Sequence, residues 1–198
     1  MKSLLLAAAC TRLLFGCGSS LPARYVLETN IDPYEYRRYQ QTLDLEFPVE
    51  GNAGVGYTAT YVRDTTNASV VLSTVFVTVY ERAVGLTAEV RDRLDSLGTY
   101  EVAVQELESE YVWMLDGGAD QWALWVSGRT VVKIGAPSGE SVPDELAEAY
   151  LDLYPSDLDE HGRAREGTGS AGLSHRQEQE REEDTLEVPE HLREGAPR

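Results

Sequence analysis

Residues 100–134 read YEVAVQELESEYVWMLDGGADQWALWVSGRTVVKI, and this stretch decides the fold. Three turn signals, Glu108-Ser109, Asp116-Gly117-Gly118-Ala119 and Ser127-Gly128, divide it into strands Tyr100–Leu107, Tyr111–Leu115, Gln121–Val126 and Arg129–Ile134. Connections this short join only antiparallel neighbours, because a parallel crossover needs a dozen or more residues. The stretch is therefore a predicted meander of four strands.

A second meander is predicted upstream. Its strands are Thr42–Phe47, Val55–Arg63 and Ser69–Tyr80, joined by the turns Gly51-Asn52-Ala53-Gly54 and Asp64-Thr65-Thr66-Asn67. The last strand carries apolar groups on both faces, Leu72, Phe76 and Tyr80 against Val71, Val75, Val77 and Val79, as a central strand should. Before this meander, Asp32-Pro33 reads as the cap and first residue of a short helix to Gln40, with Tyr36 and Tyr39 facing inward. Between the meanders, Thr87 caps a helix with Val90, Leu94 and Leu97 on one face and Gly98 as its stop. After them, Ser141 with Asp144 opens a helix carrying Leu146, Ala149, Tyr150 and Leu153, which Pro155 ends. The expected fold is α+β: a mainly antiparallel sheet of about seven strands as two meanders, with two main helices packed on one face.

The three tryptophans and eleven tyrosines all lie within residues 24–156, the expected globular domain. From residue 157 to 198 there are no aromatics, and runs such as Gln177–Asp184 are almost wholly charged, so a disordered acidic tail is expected. The whole chain has 17 Lys+Arg against 34 Asp+Glu, a net charge of −17. So acidic a chain repels phosphate backbones, and nucleic acid is not an expected partner.

The amino terminus has its own logic. Met1-Lys2-Ser3 precedes the apolar run Leu4–Ala9, and Leu14-Phe15-Gly16-Cys17 is followed by Gly18-Ser19-Ser20. A basic start, an apolar stretch, a small residue before a cut and a polar linker make a secretory signal. With a cysteine at the cut, the segment resembles the lipobox of bacterial lipoproteins; Leu14 and Gly16 match that pattern and Phe15 departs from it. The resemblance implies removal of residues 1–16, lipidation of Cys17, a short tether over 17–23, and membrane attachment through that lipid. Gly18, by the sorting rule of that class, favours the outer membrane over the inner. Removal of Lys2 and Arg12 would leave 15 − 34 = −19, and Cys10 would be lost with the leader.

The histidines matter by position. His161, His175 and His191 all fall after residue 156, so residues 24–156 contain neither histidine nor cysteine. Triads of the Ser-His-Asp or Cys-His type and His- or Cys-ligated zinc are thereby excluded from that region. Lys133, the one lysine there, reads as an edge or solvent-facing residue. Asp116-Gly117-Gly118-Ala119-Asp120 lacks the ligand ladder of a calcium loop and reads as a plain turn. Gly51–Gly56 leads into a strand rather than a helix, so it is no phosphate loop. No catalytic residue, cofactor or metal is assigned.

The candidate binding residues are aromatic: Tyr111 and Trp113 on one face of their strand, Trp122 on one face of the next, and Trp125 on the other. An exposed tryptophan beside tyrosines is a common anchor for a partner. The expected function is a non-enzymatic, lipid-anchored envelope protein that binds or scaffolds, with an envelope protein as candidate partner. The alternative is a carrier of a small apolar molecule or lipid, using a cavity between sheet and helices. An enzyme using carboxylates and tyrosines ranks last.

Overall fold

A computed structural model describes residues 21–42, 45, 47–64, 70–136 and 140–186. Seven strands form one antiparallel sheet: β1 (Glu35–Thr42), β2 (Gly54–Asp64), β3 (Val70–Tyr80), β4 (Glu101–Leu107), β5 (Glu110–Asp116), β6 (Gln121–Ser127) and β7 (Thr130–Ala136). The order across it is β1-β2-β3-β7-β6-β5-β4, so the two meanders meet where β3 pairs with β7. Glu108 and Ser109 both take positive φ, 49° and 69°, the geometry that a two-residue hairpin turn requires.

Helix α1 (Leu86–Leu97) bridges the meanders and α2 (Asp144–Leu153) follows β7. They pack on opposite faces of the sheet rather than on one. In α2, Tyr150 reaches Tyr61 of β2, and the Trp125 indole N–H of β6 donates to the Tyr154 carbonyl at 2.8 Å; both partners share one sheet face. The other face carries Trp113, Leu124, Val126 and Val131, and it is covered by α1 together with the chain after α2. The cause is connectivity. Strands β3 and β4 run parallel with three strands between them, so α1 must cross over β7, β6 and β5. The chain leaving β7 then packs α2 on the opposite face.

Three local expectations are corrected. Residues 35–42 form the edge strand β1, paired with β2 from Glu35↔Val62 to Thr42↔Gly56, and not a helix. Asp32-Pro33 instead sits inside a tight turn closed by reciprocal bonds between Ile31 and Tyr34. The strand expected at Thr42–Phe47 ends where it was to begin, and residues 43, 44 and 46 lie outside the described residues, as does the turn at 65–67. The N-cap of α1 is Gly85, in the left-handed region at φ 77°, not Thr87; that of α2 is Pro143, not Ser141. Gly98 does end α1, at φ 61°.

The folded body runs past residue 156. Asp157 N–H donates to the Val126 carbonyl, and its carboxylate accepts from Gly128 N–H at 2.8 Å and from the Ser170 hydroxyl at 2.6 Å. Ser170 lies 2.7 Å from the Thr87 hydroxyl, which is left to donate to it. Leu158 is fully buried. Ser174 then caps helix α3 (His175–Leu186): its Oγ accepts from Gln177 N–H, Gln177 Oε1 accepts from Ser174 N–H, and Ser174 Oγ also donates to Asp92 of α1. Buried polar pairs hold this strap, and mean composition across 157–198 hides them. Residues 187–198 lie outside the description, including His191.

Candidate functional site

The four aromatics singled out in the sequence divide. Trp125 is 0% exposed and Trp113 3%, so both belong to the core on its two sides. Tyr111 is half-buried and offers its carbonyl to the Ser156 hydroxyl. Only Trp122 reaches a surface with room around it. Its register partner on β7 is Gly135, where an added Cβ would come within 2.5 Å of the indole ring. The glycine thus lets the indole lie flat on the sheet. Trp122 N–H donates to Asp120 at 2.6 Å, and the same carboxylate accepts from Tyr100 at 3.1 Å.

Two further residues complete this corner. Phe76 of β3 pairs with Lys133 of β7, and its ring lies 6.0 Å from that of Trp122. Lys133 places its ammonium 4.0 Å from the Trp122 ring centroid and 5.7 Å from that of Phe76. A cation so placed is attracted by the ring quadrupole, by about 0.5–1 kcal/mol at an accessible site. Lys133 is accordingly on a central strand against aromatics, not at an edge.

From this corner the sheet face runs toward β1 with no helix over it among the described residues. Arg38, Gln40, Thr42, Thr58, Thr60, Leu72, Thr74 and Phe76 share that face and line a groove of about 780 Å³, with Gln41 and Leu45 at its rim. Leu72 is 43% exposed there. Among the described residues, the ten that line it include one arginine and no carboxylate. The sequence reading missed Arg38 and Gln40 because it assigned them to a helix. Read as a strand, their alternation with Tyr39 would have placed both on one face.

The opposite face is closed and holds the incoming chain. Tyr61 donates to the Leu27 carbonyl at 2.5 Å, and Tyr150 accepts from Leu27 N–H at 2.9 Å. The two hydroxyls are 2.8 Å apart, which leaves Tyr150 to donate to Tyr61. Tyr154 donates to the Tyr25 carbonyl at 2.7 Å. Burial pushes the Tyr61 phenol up to about 12 and raises Tyr80, Tyr150 and Tyr154 as well. The interfaces between sheet and helices are filled by Trp125, Tyr61, Tyr150 and Leu146 on one side and Trp113, Leu124 and Leu86 on the other. An apolar cavity of the carrier type would have to displace them.

Asp116 and Asp120 are used in their turn. Asp116 accepts from Gly118 N–H at 2.8 Å and from Gln121, and those bonds hold its carboxyl below the usual range. Among the described residues, no three His, Cys, Asp or Glu side chains gather as a metal site. His161 is exposed, 3.5 Å from Glu160. No described helix is long and apolar enough to cross a membrane. Cys17 and the rest of the leader lie outside the described residues. The chain matches no protein-family model, no curated protein and no solved structure at a significant level.

Proposed function

We propose that this is a lipid-anchored, non-enzymatic protein of the bacterial cell envelope that works by binding through its open sheet face. The observation that carries the binding part is the groove beside Trp122, whose described lining residues pair threonine and glutamine side chains with exposed Leu72 and the Phe76 ring. The anchoring part rests on the lipobox-like Leu14–Cys17. The tyrosine clamp on Tyr25 and Leu27 supports it, because it sets a short lead between a lipidated Cys17 and the domain. Tyr25 lies eight positions after Cys17, a reach of at most about 26–29 Å when fully extended. Such a lead keeps the domain beside the membrane.

Two measurements test the two parts separately. Intact mass and membrane fractionation of the native protein should give a chain beginning at Cys17 with added acyl mass, lost in Cys17→Ala. A soluble, unmodified chain retaining Met1 removes the anchor. A photo-crosslinking residue in place of Leu72, in the groove, should yield adducts in intact envelopes that the same residue at exposed Val84 does not. Equal yields remove the open face.

A further inference from the structure

We propose that the outer edge of β4 is a docking site for an extended segment of a partner protein in which basic and aliphatic residues alternate, added to the sheet as a further antiparallel strand. The site lies at the end of the sheet remote from β1, and it rests neither on the open groove nor on the lipid.

The backbone supplies the docking groups. β4 closes the strand order, and among the described strands it pairs with β5 alone. Glu108-Ser109 is a two-residue turn, so Leu107 and Glu110 bond each other and the alternation follows back along the strand. Leu107, Gln105 and Ala103 are thereby turned toward β5, whereas Glu106, Val104 and Val102 point N–H and C=O outward. Among the described residues no hydrogen bond reaches those outward groups. Every β4 residue is exposed except the half-buried Val104 and Leu107. The strand has no proline, and its register on β5 runs without a bulge, so two of the usual devices that close an edge are missing.

Face and charge set the occupant. On the α2 side of the edge, Leu107, Glu108, Asp144, Ala147 and Glu148 help to line a groove of about 300 Å³. Among the described residues, no cation stands in ion-pair contact with Glu106, Glu108, Asp144 or Glu148. Glu108, facing Glu148, raises the Glu148 carboxyl above its usual range, a repulsion that an inserted ammonium or guanidinium relieves. Glu110 is by contrast already held by Arg165. No three of the described carboxylates gather as a metal site, so the cations that suit them are ones spread along a chain. The other side of the edge is apolar, with Val102 and Val104 opposite Leu115 and Trp113. Residues directly opposite in an antiparallel pair share a face, so partner residues bonded to Val102 and Val104 meet valine, and those between them turn toward α2. A strand alternating aliphatic and basic residues satisfies both sides. A second copy of β4 would instead set these carboxylates against themselves, on a chain of net charge −17.

The test is fluorescence anisotropy of dye-labelled peptides titrated with the full-length protein in neutral detergent. The probe alternates lysine and valine, and a control carries the same residues as one lysine block and one valine block. Two further peptides are the probe N-methylated at its valines or at its lysines, and they read the edge on the unaltered protein. Expected is saturable binding of the probe, with the block peptide at least about tenfold weaker. Methylating the valine nitrogens should abolish binding, while methylating the lysine nitrogens should change it less than about threefold, because only the valine N–H groups face β4. Val102→Pro removes one outward donor where an edge tolerates proline and should weaken binding about threefold to tenfold; Glu148→Gln should weaken it about threefold. Equal binding of the block peptide or of the valine-methylated probe overturns strand addition. Loss on lysine methylation alone overturns the antiparallel register, and unchanged affinity in both variants overturns this edge as the place. No saturable binding of the probe overturns the proposal.

Discussion

Replacing Asp157 by alanine should destabilise the whole domain, although composition alone would assign this residue to a mobile tail. Its carboxylate accepts from Gly128 N–H and Ser170 Oγ, and Ser170 in turn receives the Thr87 hydroxyl. Ser170 is 0% and Thr87 2% exposed, so neither recovers a full water shell when the acceptor is removed. Hydrogen bonds to a charged group contribute about 1.5–3 kcal/mol each, and a buried donor left unsatisfied costs about 1–3 kcal/mol. The bonds share one acceptor and do not add fully, which leaves a net loss of about 3 kcal/mol. For a chain of this size that is a fall in Tm of roughly 6–12 °C. Urea unfolding should show a lower midpoint with an unchanged slope, and trypsin should cut at Arg163 and Arg165 sooner. Glu160→Ala, on the exposed side of the same segment, should stay within about 0.5 kcal/mol. A loss below about 0.5 kcal/mol for Asp157→Ala, with both arginines cut at once in the native protein, would refute the docked strap.

Two further outcomes follow from the same geometry. Folding keeps Tyr61 neutral up to about 12, whereas an unfolded tyrosine ionises near 10; the stability this gives is complete below pH 10 and is lost as pH rises toward 12. Tyr80, Tyr150 and Tyr154 act in the same direction, so unfolding in alkali should begin above about pH 10, with these phenols ionising only as the chain opens, as absorbance titration would record. Tyr150→Phe keeps the buried ring but removes the acceptor for Leu27 N–H and a bond to Tyr61. It should cost about 1–3 kcal/mol and speed amide exchange at Leu27, while Tyr36→Phe, whose hydroxyl is exposed beside Glu28, should cost almost nothing.

What could be read from the sequence was what neighbouring residues settle among themselves. The β4–β7 meander follows from turns of two to four residues, and each of its strands lies within one or two residues of expectation. Gly98 ends α1 because only a residue at ease with positive φ closes a helix there. Distant partners decided the rest. Nothing local shows that residues 35–42 will find the free edge of β2, and Asp32-Pro33 before two spaced tyrosines resembles a helix start. Thr87 resembles a cap, yet its hydroxyl is committed to Ser170, 83 residues away. The site was legible in part: Trp122 was among the aromatics named, but its neighbours Phe76 and Lys133 come from two other strands. Those three meet only through a strand order that hairpin lengths do not fix.

The working face is tested most directly by the three indole N–H signals in a proton–nitrogen correlation spectrum, followed as a solubilised envelope extract is added. Trp122 lies at the open corner, while Trp113 and Trp125 are buried in the core on either side of the sheet. The account predicts that the Trp122 signal moves with saturation while the other two stay in place. Movement of Trp113 or Trp125 with Trp122 unmoved would contradict it.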